Sequence, residues 1–275
     1  LIGIGGAPLF AMSLGEGDGE KAKKILSNAL LALVLVAVSV SAVIFAAMDP
    51  ILRVFGASDK TFPYAKQYLL IYAAGAIFSI TAVGLNQFII AQGYSGIGMC
   101  TTVIGALANV GLDPLFIYTF GMGVAGAALA TILSQFLSFA FVFVFLLLKN
   151  TKIRLSFGGY SAKVIGKMFR LGLSPFLIIA TDSIIIIISN MMLKTYGGAE
   201  ADMLLTCTTI VQSFMLIVTM PLGGITSGTG AILGFNFGAG RPDRIRSAQK
   251  YITLLAVVQS SIMFLFSRTL AQYFV

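Results

Sequence analysis

GGAPLFAMSLGEGDGEKAKKI, Gly5 to Ile25, and GTGAILGFNFGAGRPDRIRSA, Gly228 to Ala248, are two copies of one pattern set 223 residues apart. Gly5 falls on Gly228, Gly15 on Gly238, Gly17 on Gly240, Glu20 on Asp243, Lys21 on Arg244 and Lys23 on Arg246. Each copy ends an apolar helix, breaks it with glycines and opens the next helix with a basic turn. A long chain built twice from such units has the build of a transporter with two related halves. The second copy follows about two helices' worth of apolar sequence, whereas the first begins at residue 1, which is Leu. The expectation is a piece of a larger chain.

Composition places the chain in a membrane. Hydrophobic residues make up 58% and charged residues 10%, with a mean hydropathy of +0.97, against about 25% charged in globular domains. The charges are segregated: 46 uncharged residues separate Lys66 from Asp113, 35 separate Asp113 from Lys149, and 38 separate Asp202 from Arg241. A helix crossing a bilayer needs about 20 apolar residues. A signal peptide has one short apolar core, so it cannot account for the repetition. These observations predict an all-α integral membrane protein, a polytopic helical bundle.

The net charge of +8 does not point to nucleic acid, because basic residues interleaved with aromatics are absent. Its placement is topological instead. With helices expected at 25–48, 66–92, 96–119, 123–148, 165–194, 203–236 and 248–275, after a helix tail ending near Leu14, alternate loops fall on alternate sides. One side receives thirteen basic residues, clustered at Lys21–Lys24, Lys149–Arg170 and Arg241–Lys250; the other receives Arg53, Lys60, Lys66, Lys194 and Arg268. The richer side is cytoplasmic by the positive-inside rule. Splitting 203–236 into two spans would move the Arg241 cluster outside, so one long helix is expected there, with Pro221 as its kink. Residues 151–164 read as a cytoplasmic linker with an amphipathic segment lying at the interface. They separate a first lobe, 1–150, from a partial second lobe, 165–275.

Some chemistries are excluded. There is no histidine, which removes His-based metal sites and Ser-His-Asp catalysis. Cys100 and Cys207 lie far apart in apolar sequence and read as small packed hydrophobes. GMGVAG, Gly121–Gly126, matches a dinucleotide-binding pattern but lies between two membrane helices, where that pattern has no meaning. No nucleotide-hydrolysis or nucleophile motif is present. The chain reads as a non-enzyme without a cofactor.

Two carboxylates lie inside apolar sequence, and a membrane-embedded acid is a functional candidate by default. Asp113 is four residues after Asn109, so both share one helix face. That face can present an acid and an amide to a cation, or a carboxyl that takes up a proton on leaving water. The alternative is that Asp113, followed by Pro114, satisfies backbone at a helix break. Asp182 is open between a functional role and a polar contact between helices. Asn86, Gln87 and Gln135 are candidates for a substrate cavity, with interhelical hydrogen bonding as their alternative.

ANVGLDPLFIYTFGMGVAGAALATILSQ, Ala108–Gln135, closely resembles the fifth and sixth helices of the multidrug and toxic compound extrusion (MATE) family. LGEGDGEKAKK and FGAGRPDRIRSA resemble its second-to-third and eighth-to-ninth helix turns, and LGLSPFLIIATDSI, Leu171–Ile184, resembles the start of its seventh helix. The resemblance implies a fold of two pseudo-symmetric six-helix lobes. This chain would supply the end of helix two through helix nine, truncated at both ends. It implies a monomeric, multi-pass protein of a prokaryotic plasma membrane, held in the lipid bilayer. By alternating access it would export amphiphilic or cationic small molecules in exchange for Na+ or H+. It further implies a cation-coupling site at Asp113, Asn109 and Thr131, shared with an acid of helix one that this sequence does not include. Asp182 is then the second-lobe counterpart of that acid. Two rivals remain. One is a lipid-linked oligosaccharide flippase of the same superfamily, which is expected to hold several cations in its central cavity. The other is a non-transporting structural membrane protein.

Overall fold

The computed structural model describes residues 1–55, 57, 59–148 and 151–270. Lys149, counted above on the cytoplasmic side, lies outside the described residues. The elements are α1 (Ile2–Gly15), α2 (Gly19–Ala46), α3 (Met48–Val54), α4 (Phe62–Ala91), α5 (Ser95–Pro114), a π-helical turn (Leu115–Thr119), α6 (Gly123–Leu147), α7 (Ala162–Tyr196), a 3-10 turn (Gly198–Glu200), α8 (Ala201–Gly238) and α9 (Pro242–Leu270). No strand occurs among the described residues. Among the described residues, seven helical spans are long and apolar enough to cross a bilayer. Helices satisfy their own backbone groups, which lipid cannot do for them.

The two copies of the repeat fold alike, bond for bond. α1 ends at Gly15 and α2 begins at Gly19; α8 ends at Gly238 and α9 begins at Pro242. In the first copy the amides of Glu16, Gly17 and Asp18 bond the carbonyls of Met12, Leu14 and Ser13. In the second, the amides of Ala239, Gly240 and Arg241 bond those of Phe235, Phe237 and Asn236. Every pair is offset by the same 223 residues. Gly17 and Gly240 have φ of 77° and 63°, so each copy closes its helix with a left-handed glycine and a 6→1 bond, the Schellman motif.

α1 is the hub of the bundle, packing against α2, α4, α7 and α8. Phe10 of α1 meets Phe88 of α4 edge to face, with ring centroids 5.5 Å apart, and Met168 of α7 is buried in the same cluster. Glycines permit these approaches. A β-carbon on Gly5 would collide with the Met168 backbone of α7, and one on Gly15 with the Phe235 carbonyl of α8.

Several boundaries differ from expectation for local reasons. α2 begins six residues earlier, at Gly19, because the Asp18 carboxylate accepts from the Lys21 amide at 2.9 Å and caps a polar first turn. α9 likewise begins at Pro242, whose missing N–H costs nothing at a helix start. The connection expected after residue 48 holds the short helix α3, with Pro50 in its first turn. α8 is a single helix of 38 residues with Pro221 inside it, about 57 Å long at 1.5 Å per residue.

The connection before α7 has no regular secondary structure over residues 154–161, yet it is tied down. Fully buried Asn28 of α2 donates to the Gly159 carbonyl at 3.2 Å and accepts from the Ser161 amide at 2.7 Å. The Ser27 and Ser156 hydroxyls bond at 2.9 Å, and the Ile153 amide donates to Gln92 Oε1 at 3.0 Å. The segment expected to lie at the interface is therefore a strap on the first helices, and α7 starts at Ala162. Asn28→Ala strands two backbone groups, a loss of about 1–3 kcal/mol each if they stay dry. Tryptic cleavage at Arg154 in inverted membrane vesicles should rise by about tenfold or more for each 1.4 kcal/mol lost; an unchanged cleavage rate would show that the strap is held by other contacts.

Candidate cation site

α5 and α6 run antiparallel, and three contacts set their register. The Ser138 hydroxyl donates to the Thr101 carbonyl at 3.1 Å. Gly105 faces Ser134 and Ser138, and Gly126 faces the Phe116 backbone. On this register Thr131 of α6 stands level with Asn109 of α5, one turn from Asp113. All three are half-buried. No hydrogen bond joins them: the Thr131 hydroxyl donates to the Ala127 carbonyl of its own helix at 2.9 Å.

Asp113 itself is unusual. Its Oδ1 is buried and has no hydrogen-bond partner, and a buried carboxylate oxygen without one is costly in a low dielectric. The next residue removes a second partner. Pro114 has no N–H, so the Val110 carbonyl cannot receive the usual helical bond from position 114. Beyond Pro114 the helix widens into the π-turn, where the Phe120 amide reaches back to the Leu115 carbonyl at 3.0 Å. π-turns interrupt helices preferentially at functional positions. The Asp–Pro pair was the sequence signal for this break, though the expected helix ran unbroken to 119.

The donors fit a small monovalent cation or a proton. One carboxylate, one amide oxygen and one hydroxyl within about one helical turn of each other are hard oxygen ligands. No group of three or more Asp, Glu, Cys or His side chains that could hold a metal occurs among the described residues.

The other candidates do not converge on this level. Asn86 faces α5 and donates to the Gly98 carbonyl at 3.2 Å. Gln87, next on α4, points the other way and accepts from Ser227 of α8 at 3.2 Å, so it stands where the two halves meet. Ser227 carried no signal in the sequence. Gln135 is half-buried on α6, and its Oε1 is buried without a partner. Asp182 is exposed on α7, in a groove of about 560 Å³ that also holds Ser174 and Thr181. Cys100 and Cys207 are free and exposed.

The chain has clear relatives. The profile of the MatE family matches residues 1–115 and 176–275. Among curated proteins, the chain is 27% identical over 266 residues to the multidrug export protein MepA of Staphylococcus haemolyticus, covering 94% of this chain and 57% of that protein. It is 27% identical over 274 residues to MepA of Staphylococcus aureus, covering 96% of this chain and 59% of that protein. The chain thus spans under two thirds of the length of these relatives. Among solved structures it superposes on an outward-facing multidrug resistance MATE family transporter of the MOP superfamily with a TM-score of 0.90 at 25% identity, covering 99% of this chain and 60% of that one. It also superposes on a MATE in the bent conformation with a TM-score of 0.88 at 25% identity, covering 99% and 61%. A repeat that folds twice in the same way, a bundle of apolar spans and a profile match over most of its length lead to one conclusion: the chain belongs to the MatE family of membrane transporters.

Proposed function

We propose that this chain forms the core of a secondary antiporter of a prokaryotic plasma membrane, exporting amphiphilic or cationic small molecules in exchange for Na+ or H+. The observation that carries this reading is the buried, unpartnered Oδ1 of Asp113, one turn along α5 from Asn109, which the α5–α6 register sets level with Thr131. A cation arriving at Asp113 supplies the missing partner. Asn109 offers an amide oxygen and Thr131 a hydroxyl oxygen to the same ion. Asp182 is the second-lobe counterpart of the helix-one acid that this sequence does not include, and Gln87, at the meeting of the lobes, and Gln135 are the polar groups a substrate would meet.

Alternating access follows from where that energy appears. A ligand drives a conformational change only through its different affinity for the two states. An ion or proton on Asp113 removes the cost of its bare oxygen and so favours whichever arrangement of α5, the π-turn and α6 closes around it. The lobes, taken as 1–150 and 165–275 with 151–164 between them, then rock as units, and the substrate leaves as the cation enters. The flippase alternative asks for several cations in the central cavity, whereas the basic residues here cluster at loops and in the first turns of helices, and the Asp182 groove is lined by a single one, Arg170.

Asp113→Asn keeps the shape and removes the charge. In proteoliposomes with an imposed Na+ or H+ gradient, it should lower tetraphenylphosphonium flux by about a hundredfold or more, the scale of losing about 3 kcal/mol of coupling, with normal membrane insertion. Unimpaired flux in that variant would refute the site. Asn109→Ala and Thr131→Ala each remove one neutral ligand. Each should raise the cation concentration needed for half-maximal flux by about tenfold, for roughly 1.4 kcal/mol, and leave the maximal flux largely intact; an unchanged cation dependence would remove that residue from the set.

A further inference from the structure

The approach of α1 to α8, one helix from each half, is itself two-fold. A β-carbon on Gly15 of α1 would strike the Phe235 carbonyl of α8, and one on Gly238 of α8 would strike the Met12 carbonyl of α1. Met12 and Phe235 are one repeat length apart, as are Gly15 and Gly238. Each half therefore presents the same glycine to the same carbonyl of the other. α1 and α8 run side by side here, with Gly234 facing Pro8 and Ala11 one turn earlier. The crossing sits at the helix ends that lead into the basic turns, so it is on the cytoplasmic side.

Two buried amides line one cavity beside this crossing, one from each half. Gln92, 1% exposed, spends its Oε1 on the Ile153 amide and leaves Nε2 buried without a partner. Asn236, 9% exposed, lies between Phe235 and Gly238; it spends its Nδ2 on the Ile232 carbonyl and leaves Oδ1 buried without a partner. Together with Leu14 and Phe235 they border a cavity of about 570 Å³. A permanent core contact would be expected to satisfy such groups. Here one donor and one acceptor, one from each half, are left unpartnered at the edge of the α1–α8 contact.

We propose that the paired contact of Gly15 with Phe235 and Gly238 with Met12 is a cytoplasmic gate. The gate closes because both crossing positions lack a β-carbon, and it parts when the lobes rock. The proposal rests on the alternating-access reading above and makes Gly15 and Gly238 positioning residues, since they touch neither ion nor substrate. At these two positions closure is backbone against backbone. Opening is favoured by hydration of Gln92 and Asn236.

The test uses the full chain in inverted membrane vesicles, with Cys100→Ser and Cys207→Ser as background and Asn236→Cys as reporter. A membrane-impermeant maleimide added to the cytoplasmic face should label the reporter slowly. Gly15→Leu with Gly238→Leu should hold the gate open and raise the labelling rate by about tenfold or more, as expected when a protected site becomes exposed. Equal rates in the glycine and leucine backgrounds would overturn the proposal. Adding NaCl at constant pH should also change the rate in the glycine background, which a static contact would not do.

A second arm covers a leucine variant that fails to insert. A β-carbon built on Gly234 lies 3.1 Å from that of Ala11, close to disulfide reach. Oxidation of Ala11→Cys with Gly234→Cys should lower tetraphenylphosphonium flux by about tenfold or more, and reductant should restore it. Full flux through cross-linked protein would overturn the gate. The labelling arm needs no transport, so absence of flux before oxidation counts against the antiporter reading alone.

Discussion

The bundle depends on the absence of β-carbons along α1. This helix of 14 residues touches α2, α4, α7 and α8, and glycines bring it against α7 at Gly5 and α8 at Gly15. In lipid, helices gain little from burying apolar surface, because the tails are as apolar as leucine. Close backbone approach and dispersion must do the work instead. An alanine at either position would push a carbonyl of the neighbouring helix away, and with it the meeting of the two halves.

Around that contact the polar groups fall into two classes. Most are satisfied: Ser13, Thr101, Thr131 and Asn236 each return a hydrogen bond to the preceding turn of their own helix, and Asn28 ties the strap before α7 to α2. A few are not, and Asp113 Oδ1, Gln92 Nε2 and Asn236 Oδ1 are among them. The first stands on the α5 face that meets α6, and the other two flank the contact between the lobes.

Much of this was legible in the sequence. The repeat marks two helix ends because the same residues make the same bonds: a glycine that tolerates positive φ, then a residue whose amide completes the 6→1 bond. The single long α8 followed from charge placement alone. Hydropathy could not find the start of α2, since a first turn capped by Asp18 is polar by construction, nor α3, where Pro50 is harmless within a first turn and reads as a breaker. The pairing of Asn109 with Asp113 follows from helical spacing. That Asp113 keeps an oxygen without a partner does not, because it depends on how α5 lies against α6. The Gln87–Ser227 bond joins residues 140 apart, a distance no local pattern spans.

The central claim is that one carboxylate, Asp113, exchanges its missing partner for a cation. Infrared difference spectroscopy of the protein in lipid, recorded on adding Na+ and on lowering pH, reads that exchange at the carboxyl group itself. The account predicts a carboxylate or carboxylic-acid band that responds to one of the two cations and disappears in Asp113→Asn. A response that survives in Asp113→Asn, or no response to either cation, would contradict it.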